Sequence, residues 1–379
     1  MEMEREIPTS LRHRLTSGLL IMYGDSVLLV KQKHSGKYSI PKGEVQSGED
    51  ILGAAIRETY EETGLQIDIN SINKKRHLCS ISTSGCRRLL YYYSTRLEAP
   101  PPSIHVEQNN PEIVSAAFYQ IETAVRIIQI SQVGILWDEG EWINPLILDR
   151  LHEIGWITLI QHPHASFSIV NYTDKCKTEE AWNDTTMWCR GLIVGIDGRI
   201  LSRPMKKFFE FSQLYEECRN LPERFTVTEK LDGSLGISYF INNTPYIATR
   251  GRFFSSQAIK ATSILYLKYS DQLEKMEPRY TYLFEIIYPE DRKIVDYGPI
   301  EDIILLDIVD RKTGDSVFES LGQVFSFPKV QTIDTDKSIE ELIMVDILGK
   351  EGYVLKFEDG RRLKIKFKNY KEKWELKRS

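Results

Sequence analysis

A lysine, an acid two residues on and a Gly-Ser pair behind it make up the stretch Glu229-Lys230-Leu231-Asp232-Gly233-Ser234. These are the parts a lysine nucleophile facing a nucleotide phosphate requires. At an ordinary pKa of about 10.4 the amine is almost wholly protonated and cannot attack phosphorus. Burial and neighbouring cations lower that value, the usual route to an active lysine nucleophile. Asp232 is placed to orient the amine or take its proton, and Gly233 lets a ligand come close to the backbone. Alternating apolar residues on both sides (Phe225 and Val227, then Leu235, Ile237 and Tyr239) put the lysine at a strand end or turn. A Lys-x-Asp-Gly string is also an ordinary hairpin turn, so residues further down the chain must decide.

A second group with chemical potential lies near the N-terminus. The pattern predicts a helix from about Ile51 to Thr63, closed by Gly64 as a left-handed cap. On it Glu58, Glu61 and Glu62 fall at i, i+3 and i+4, so three carboxylates leave one side of a single turn. Their mutual repulsion would be relieved by a divalent cation, and hard cations prefer carboxylate oxygen. A third group comes late: Leu363-Lys364-Ile365-Lys366 reads as a strand whose two lysines, spaced by two, share a face and can converge on one phosphate.

The elements that must hold these groups follow in order. Gly18–Tyr23 and Val27–Val30, split by Gly24-Asp25, carry a hairpin signature. Further strands are expected at Leu89–Ser94 and Ala116–Tyr119, with loops at Ala99–Pro102 and Glu107–Asn110. Helices are expected at Ile121–Ile130 and from about Pro145 to Ile154. After Gly155-Trp156 the character changes, which sets a boundary between domains 1–155 and 156–379. In the second domain Trp188–Val194 and the continuous apolar run Ile303–Val309 read as strands. Between them Arg203 to Phe209 interleaves basic and aromatic residues, a mix suited to phosphates and stacked bases.

With 379 residues, 41% hydrophobic and 27% charged, the chain has the length and balance of two ordinary soluble domains. A formal charge of −5 excludes a uniformly basic nucleic-acid coat but not a local groove. Past Arg361 the basic residues Arg361, Arg362, Lys364, Lys366, Lys368, Lys371, Lys373, Lys377 and Arg378 face only Glu372 and Glu375. The five cysteines show no CxxC spacing, which points to thiols in a reducing compartment rather than a disulfide framework or zinc site. Met-Glu-Met-Glu-Arg-Glu is the wrong composition for a signal peptide, and no apolar run approaches the ~18 residues that span a bilayer. A cytoplasmic protein is expected.

Gly43, five residues, Glu49, seven residues and Arg57-Glu58-Thr59-Tyr60-Glu61-Glu62-Thr63-Gly64-Leu65 resembles the Nudix box. It departs at Thr59, where that family usually has an aliphatic residue. The resemblance implies a loop-helix-loop on an α/β/α sandwich that binds Mg²⁺ or Mn²⁺ and hydrolyses a pyrophosphate linkage in a nucleoside diphosphate derivative. It implies Glu58, Glu61 and Glu62 as metal ligands, Glu62 also as a catalytic group, Gly43 as a carbonyl donor, and Glu49–Arg57 as the ion pair tying loop to helix. Glu112 stands where many members place a further metal-binding or base residue. Pro41-Lys42-Gly43 looks like members acting on polyphosphates, where Lys42 would meet a phosphate.

Lys230-Leu231-Asp232-Gly233, Phe284-Glu285, Glu351-Gly352 and Leu363-Lys364-Ile365-Lys366, in this order, resemble motifs I, III, IV and V of the covalent nucleotidyltransferases. With Cys189-Arg190-Gly191, Arg203 to Phe209 and Pro289 to Tyr297, the finer similarity is to RNA ligases of the phage tRNA-repair type. That resemblance implies antiparallel sheets flanked by helices, without an OB-fold. It implies ATP as cofactor and Lys230 as the nucleophile that becomes Lys–AMP. Glu229, Arg190, Lys207 and Arg250 would lie on nucleotide or RNA, Glu285 on the ribose or a metal-bound water, and Glu351 on the metal. Lys364 and Lys366 would neutralise charge on the α-phosphate and departing pyrophosphate.

The expected protein is thus a two-domain α+β enzyme, an ATP-dependent RNA ligase with a Nudix domain that hydrolyses nucleotide pyrophosphate linkages, including 5′–5′ linked RNA ends. Its partners would be RNA and a nucleotide pyrophosphate, without a membrane. Two other readings stand beside it: an active ligase whose Nudix unit only senses a nucleotide, and an RNA- or nucleotide-binding protein with both sites inactive.

Overall fold

The computed structural model describes residues 15–83, 86–100, 103–107, 110–136, 140–211 and 224–378, with the backbone alone at 74–83, 86–89, 130, 135–136 and 378. The N-terminal hexapeptide, Pro101-Pro102, Gln108-Asn109 and Cys218 lie outside these residues, as do the side chains of Cys79 and Cys86. The chain divides into two compact units. The first takes the chain up to 138 and returns for Ile143–Thr158 and Tyr172–Thr186; the second takes 139–142, Leu159–Asn171 and everything from Met187. Residue 155 falls inside the first unit, and 172–186 belongs to that unit too.

The first unit is built on a seven-stranded mixed sheet: β1 (Leu15–Tyr23), β2 (Ser26–Gln32), β3 (Tyr38–Ser39), β4 (Lys42–Glu44), β5 (Ile72–Thr83), β6 (Cys86–Leu97) and β7 (Ile113–Gln120). β1 runs parallel to β6 and antiparallel to β2 and β4, which explains why its apolar run reads as continuous rather than alternating. The helix α1 (Ile51–Thr63) packs Ala55 onto Leu19, Ile21 and Leu28. Asp50 caps its first turn by accepting from the Gly53 amide at 2.9 Å, and Gly64 closes it at φ 70°, where only glycine is unstrained. Four more helices complete the unit: α2 (Ile121–Ile127), α3 (Pro145–Ile154), α4 (Asp174–Thr178) and α5 (Asp184–Trp188, whose last two residues fall in the second unit). Two expectations are corrected. α2 ends three residues early, and Trp188 closes a helix, so that strand begins only at Arg190.

The second unit holds three sheets. β8 (Ile157–Gln161), β9 (Phe167–Tyr172), β10 (Arg190–Gly195) and β11 (Ile200–Ser202) form one. β12 (Phe209–Glu210), β13 (Phe225–Lys230), β18 (Thr332–Ile333), β19 (Gly352–Phe357) and β20 (Arg362–Lys366) form another, in the order β12-β20-β19-β13-β18. β14 (Ser234–Ile241), β15 (Thr244–Thr249), β16 (Tyr280–Ile287) and β17 (Asp302–Asp310) make the third. Helices α6 (Ser256–Lys268, capped by Ser255), α7 (Phe318–Leu321), α8 (Ile339–Ile343) and α9 (Lys368–Arg378) flank them. None of the described helices is long and apolar enough to cross a membrane.

In this unit His162 is 3% exposed among Phe167, Phe253, Phe254 and Tyr239, and its Nε2 has no hydrogen-bond partner among the described residues. Burial, then the neighbouring His164, holds its pKa below the ordinary value. A depressed histidine contributes stability that is present above its unfolded pKa of about 6.5 and is lost as pH falls toward the folded value. Denaturant midpoints measured from pH 7.5 down to pH 5 should therefore fall, and His162→Phe should flatten that part of the profile. An unchanged slope in the variant would count against this assignment.

Candidate active sites

In the first unit, β4 and α1 bring the acidic residues together. Arg57 is the hub. Its Nε and Nη2 donate to the two oxygens of Glu49 at 2.8 and 3.0 Å, a bidentate pair that fixes the 43–49 loop to the helix. Nη1 reaches Glu58 at 2.7 Å and Glu61 at 3.0 Å, and Nη2 also donates to the Glu44 carbonyl at 2.9 Å. Glu62, nearly buried, accepts from the Lys42 amide at 3.0 Å. Gly43 lies directly against the Glu58 carboxylate, and a methyl group there would overlap it. Thr59 is buried and bonds back to the Ala55 carbonyl at 2.8 Å, so its hydroxyl is satisfied within the helix.

The electrostatics show an excess of negative charge. Burial raises Glu62 to about 8, Lys42 opposes the shift, and Glu58 and Glu112 reinforce it. Glu58 is also raised, by burial first, with Arg57 opposing and Glu61 and Glu112 adding. Glu112, exposed on the turn that Asn110 caps, thus lies within electrostatic reach of both. Among the described residues no three His, Cys, Asp or Glu side chains already stand as a metal-holding group. The donor set nonetheless suits a hard divalent cation: all oxygen, and carrying charge that a cation would offset.

The second site rests on strand register. Lys230 on β13 pairs with Gly352 on β19, which pairs with Lys366 on β20. Side chains at matched positions share a face, and the glycine between the two lysines leaves that face open. Its φ of 156° lies at the edge of the region that favours glycine, and a methyl group would run into the Ile365 carbonyl. Glu351, one residue earlier and buried, fills the gap. It accepts from Lys230 Nζ at 2.7 Å on one oxygen and from Lys366 Nζ at 3.1 Å on the other. Lys364 lies on the same face two residues up. Burial, with Lys230, Lys366 and Arg190 beside it and Glu210 opposing, lowers its pKa to about 8. Phe208 lies 6.0 Å from Lys364 Nζ and 5.7 Å from the Arg190 guanidinium carbon, so one aromatic ring is within reach of two cations.

The turn after Lys230 leads straight into β14, next to β16, and so brings Glu285 in from the third sheet. Glu285 accepts from the Gly233 amide at 2.8 Å. Burial raises it to about 7, with Lys230 and the Gly233 amide opposing and Glu351 adding. A methyl group on Gly233 would meet the Ile286 carbonyl, so this closeness requires glycine.

The NUDIX domain pattern matches residues 12–133 and the RNA ligase pattern matches residues 188–374. The chain joins a NUDIX domain to an RNA ligase domain. The NUDIX domain is similar to Nudix hydrolase 10 of Arabidopsis thaliana, 29% identical over 126 residues that cover 32% of this chain and 42% of that protein. The chain spans less than half the length of the curated relatives it matches. Among solved structures, the Ap4A hydrolase binary complex of C. elegans is 24% identical with a TM-score of 0.28, covering 32% of this chain and 90% of that one. A Naegleria gruberi RNA ligase mutant solved with ATP and Mn is 20% identical with a TM-score of 0.39, covering 45% of this chain and 57% of that one.

In the ligase domain two expected roles change. Both oxygens of Asp232 are taken. Oδ2 accepts from the Ile294 and Val295 amides at 2.8 Å each, and Oδ1 from the Tyr370 hydroxyl at 2.7 Å. Its own amide donates to the Tyr297 hydroxyl at 2.8 Å. Asp232 therefore holds the turn after Lys230 against the 289–297 loop and α9 and is not turned toward the Lys230 amine. Glu229, adjacent on the strand, points to the other face and pairs with Lys350 at 2.8 Å, so its side chain is not on the face that carries Lys230 and Lys366. Lys207 lies 4.0 Å from the Phe209 ring, and the Arg250 backbone packs on Gly191 beside Arg190. Sequence reasoning took in Phe208 and Tyr297 only as parts of the stretches Arg203–Phe209 and Pro289–Tyr297, and it missed Tyr370, which lies beyond the last motif on α9.

Proposed function

We propose that the ligase domain joins RNA ends with ATP through a covalent Lys230–AMP, and that the NUDIX domain hydrolyses pyrophosphate linkages, with 5′–5′ linked RNA ends as its substrate class. The Glu351 carboxylate shared by Lys230 and Lys366, with Lys364 alongside, supports the ligase reading above all. In the first step Lys230 Nζ gives up its bond to Glu351 and attacks the α-phosphorus of ATP. The ammonium first yields a proton to the Glu351 carboxylate or water; an N–P bond then forms, the bond from phosphorus to the bridging oxygen breaks, the second proton passes to solvent and pyrophosphate leaves with the electron pair. Lys364 and Lys366 would offset the charge that develops. An RNA 5′-phosphate oxygen then displaces lysine to give a 5′–5′ pyrophosphate, and the 3′-hydroxyl of a second end displaces AMP. Glu351 and Glu285 would hold a divalent cation, as would Glu58, Glu61, Glu62, Glu112 and the Gly43 carbonyl. Bound there, such an ion polarises phosphoryl oxygen and lowers the pKa of an attacking water.

The fusion gives the substrate proposal its logic. Capped ends and stalled adenylylated RNA carry a 5′–5′ pyrophosphate, and its hydrolysis leaves the 5′-monophosphate that a ligase needs. A second reading, a NUDIX domain that only senses a nucleotide, is favoured by Arg57, which already occupies Glu58 and Glu61. The two separate cleanly. Glu61→Gln with Glu62→Gln should reduce hydrolysis of adenylylated RNA roughly a hundredfold or more while label from α-labelled ATP still accumulates on the protein. If the wild-type protein cleaves ADP-ribose readily but leaves adenylylated and capped RNA intact, the substrate proposal fails. Loss of both activities in the variant would show that the domains are not independent.

A further inference from the structure

We infer that one face of α9 is the docking surface for single-stranded RNA at the ligase site, with Trp374 as the platform on which a base stacks. The inference rests on the ligase reading above and adds to it a binding element that none of the nucleotidyltransferase motifs includes.

The face follows from helical spacing. Tyr370, Lys373, Trp374 and Lys377 fall at i, i+3, i+4 and i+7 and form one stripe. Its near end is fixed in the catalytic centre. Tyr370 is 3% exposed, donates to Asp232 behind the nucleophile, and stacks on Trp374 at 6.2 Å and 20° between planes. Lys366, which shares Glu351 with Lys230, lies 5.1 Å from the Tyr370 ring and 5.6 Å from that of Trp374. Trp374 is therefore held at a fixed place beside the catalytic lysines, yet it remains 38% exposed. An indole kept partly in water, with its plane toward the Tyr370 ring and Lys366 beside it, offers exposed ring surface suited to a nucleobase.

Charge names the occupant. Lys373 and Lys377 are exposed along the stripe, and Lys377 is steadied by donating to the Lys293 carbonyl at 2.7 Å. Lys368 and Lys371 extend the positive field around the helix, partly offset by Glu372 and Glu210. Alternating cations and rings, leading to a phosphate-directed lysine pair, match the alternation of phosphates and bases along a single strand. A folded acidic protein would meet the lysines, but a single strand also brings a base beside each phosphate, which suits a ring set among cations.

The experiment uses the full chain and a short 5′-phosphorylated single-stranded RNA, with binding measured by anisotropy in the absence of ATP across a salt series. Trp374→Ala should weaken RNA binding about tenfold, and Trp374→Phe should restore most of it. Lys373→Glu should lower the steepness of the salt dependence, since a phosphate that no lysine neutralises keeps its counterions when the RNA binds. The ratio of adenylylated RNA formed to Lys–AMP formed should fall in the alanine variant. Unchanged RNA affinity in Trp374→Ala would overturn the inference, as would a loss of Lys–AMP formation equal to the loss of transfer, which would give the ring to ATP. Poly-glutamate binding as tightly as RNA would overturn it too. Because binding is read without ATP, a wild-type protein that binds RNA but never forms Lys–AMP counts against the ligase reading and not against the docking face.

Discussion

Lys230→Ala should retain no label after incubation with α-labelled ATP and Mg²⁺, where the wild-type protein should carry an acid-labile, base-stable adduct. No other side chain can substitute. Lys364 and Lys366 are on the same face, but each is displaced along β20 or across β19, and Lys366 is engaged on the far oxygen of Glu351. Reacting atoms must approach to about 3–3.5 Å in line, and a shift of even ~1 Å can cost roughly a hundredfold. Lys230→Arg should be equally inactive, because a guanidinium cannot lose its proton in the accessible pH range. The fold should survive both changes, since Lys230 is at a strand end and 21% exposed. Persistent labelling in a correctly folded Lys230→Ala protein would remove the covalent mechanism, and mass spectrometry of the labelled peptide would name the true nucleophile.

Asp232→Ala should be the most destabilising single change near the site. It leaves two amides and one hydroxyl, all near or within the core, without their shared acceptor. At roughly 1–3 kcal/mol for each unsatisfied buried group, and allowing for relaxation, the loss is about 4 kcal/mol. Asp232→Asn should recover much of that stability. Its carbonyl can still accept from the two amides, and its NH₂ can donate to the oxygen of Tyr370. If the aspartate were the base for Lys230, asparagine would fold normally and lose labelling. If it is a latch, asparagine should regain stability and labelling together. Urea midpoints and label incorporation on the same samples distinguish these outcomes.

That difference shows what the sequence could carry. Lys230, Lys364 and Lys366 were legible because each lies on a short strand whose period of two fixes its face, and Glu351, just ahead of β19, because the order of all four is a motif. The same rule would have sent Glu229 away from Lys230 had it been applied there. The partners of Asp232 lie 62, 63 and 138 residues away, so no local pattern announces them. Trp188 misled because Trp-Cys-Arg-Gly-Leu-Ile-Val is apolar enough for either element, and the helix over 184–188 depends on contacts made elsewhere. In the NUDIX domain the helix 51–63 and its glycine cap were read correctly, since periodicity and cap agree. The reach of Arg57 to Glu61 follows from i, i+4 spacing, but its grip on Glu58 as well needed coordinates.

The guanidinium of Arg57 stays charged at every pH a protein survives. Its hold on Glu49, Glu58, Glu61 and the Glu44 carbonyl is therefore permanent unless a stronger competitor arrives. Entry of a doubly charged ion into this corner would be an exchange and not a filling. The arginine would cede Glu58 and Glu61, which only its Nη1 holds, while Nε and Nη2 keep Glu49, so the loop would stay tied to the helix as the ion enters.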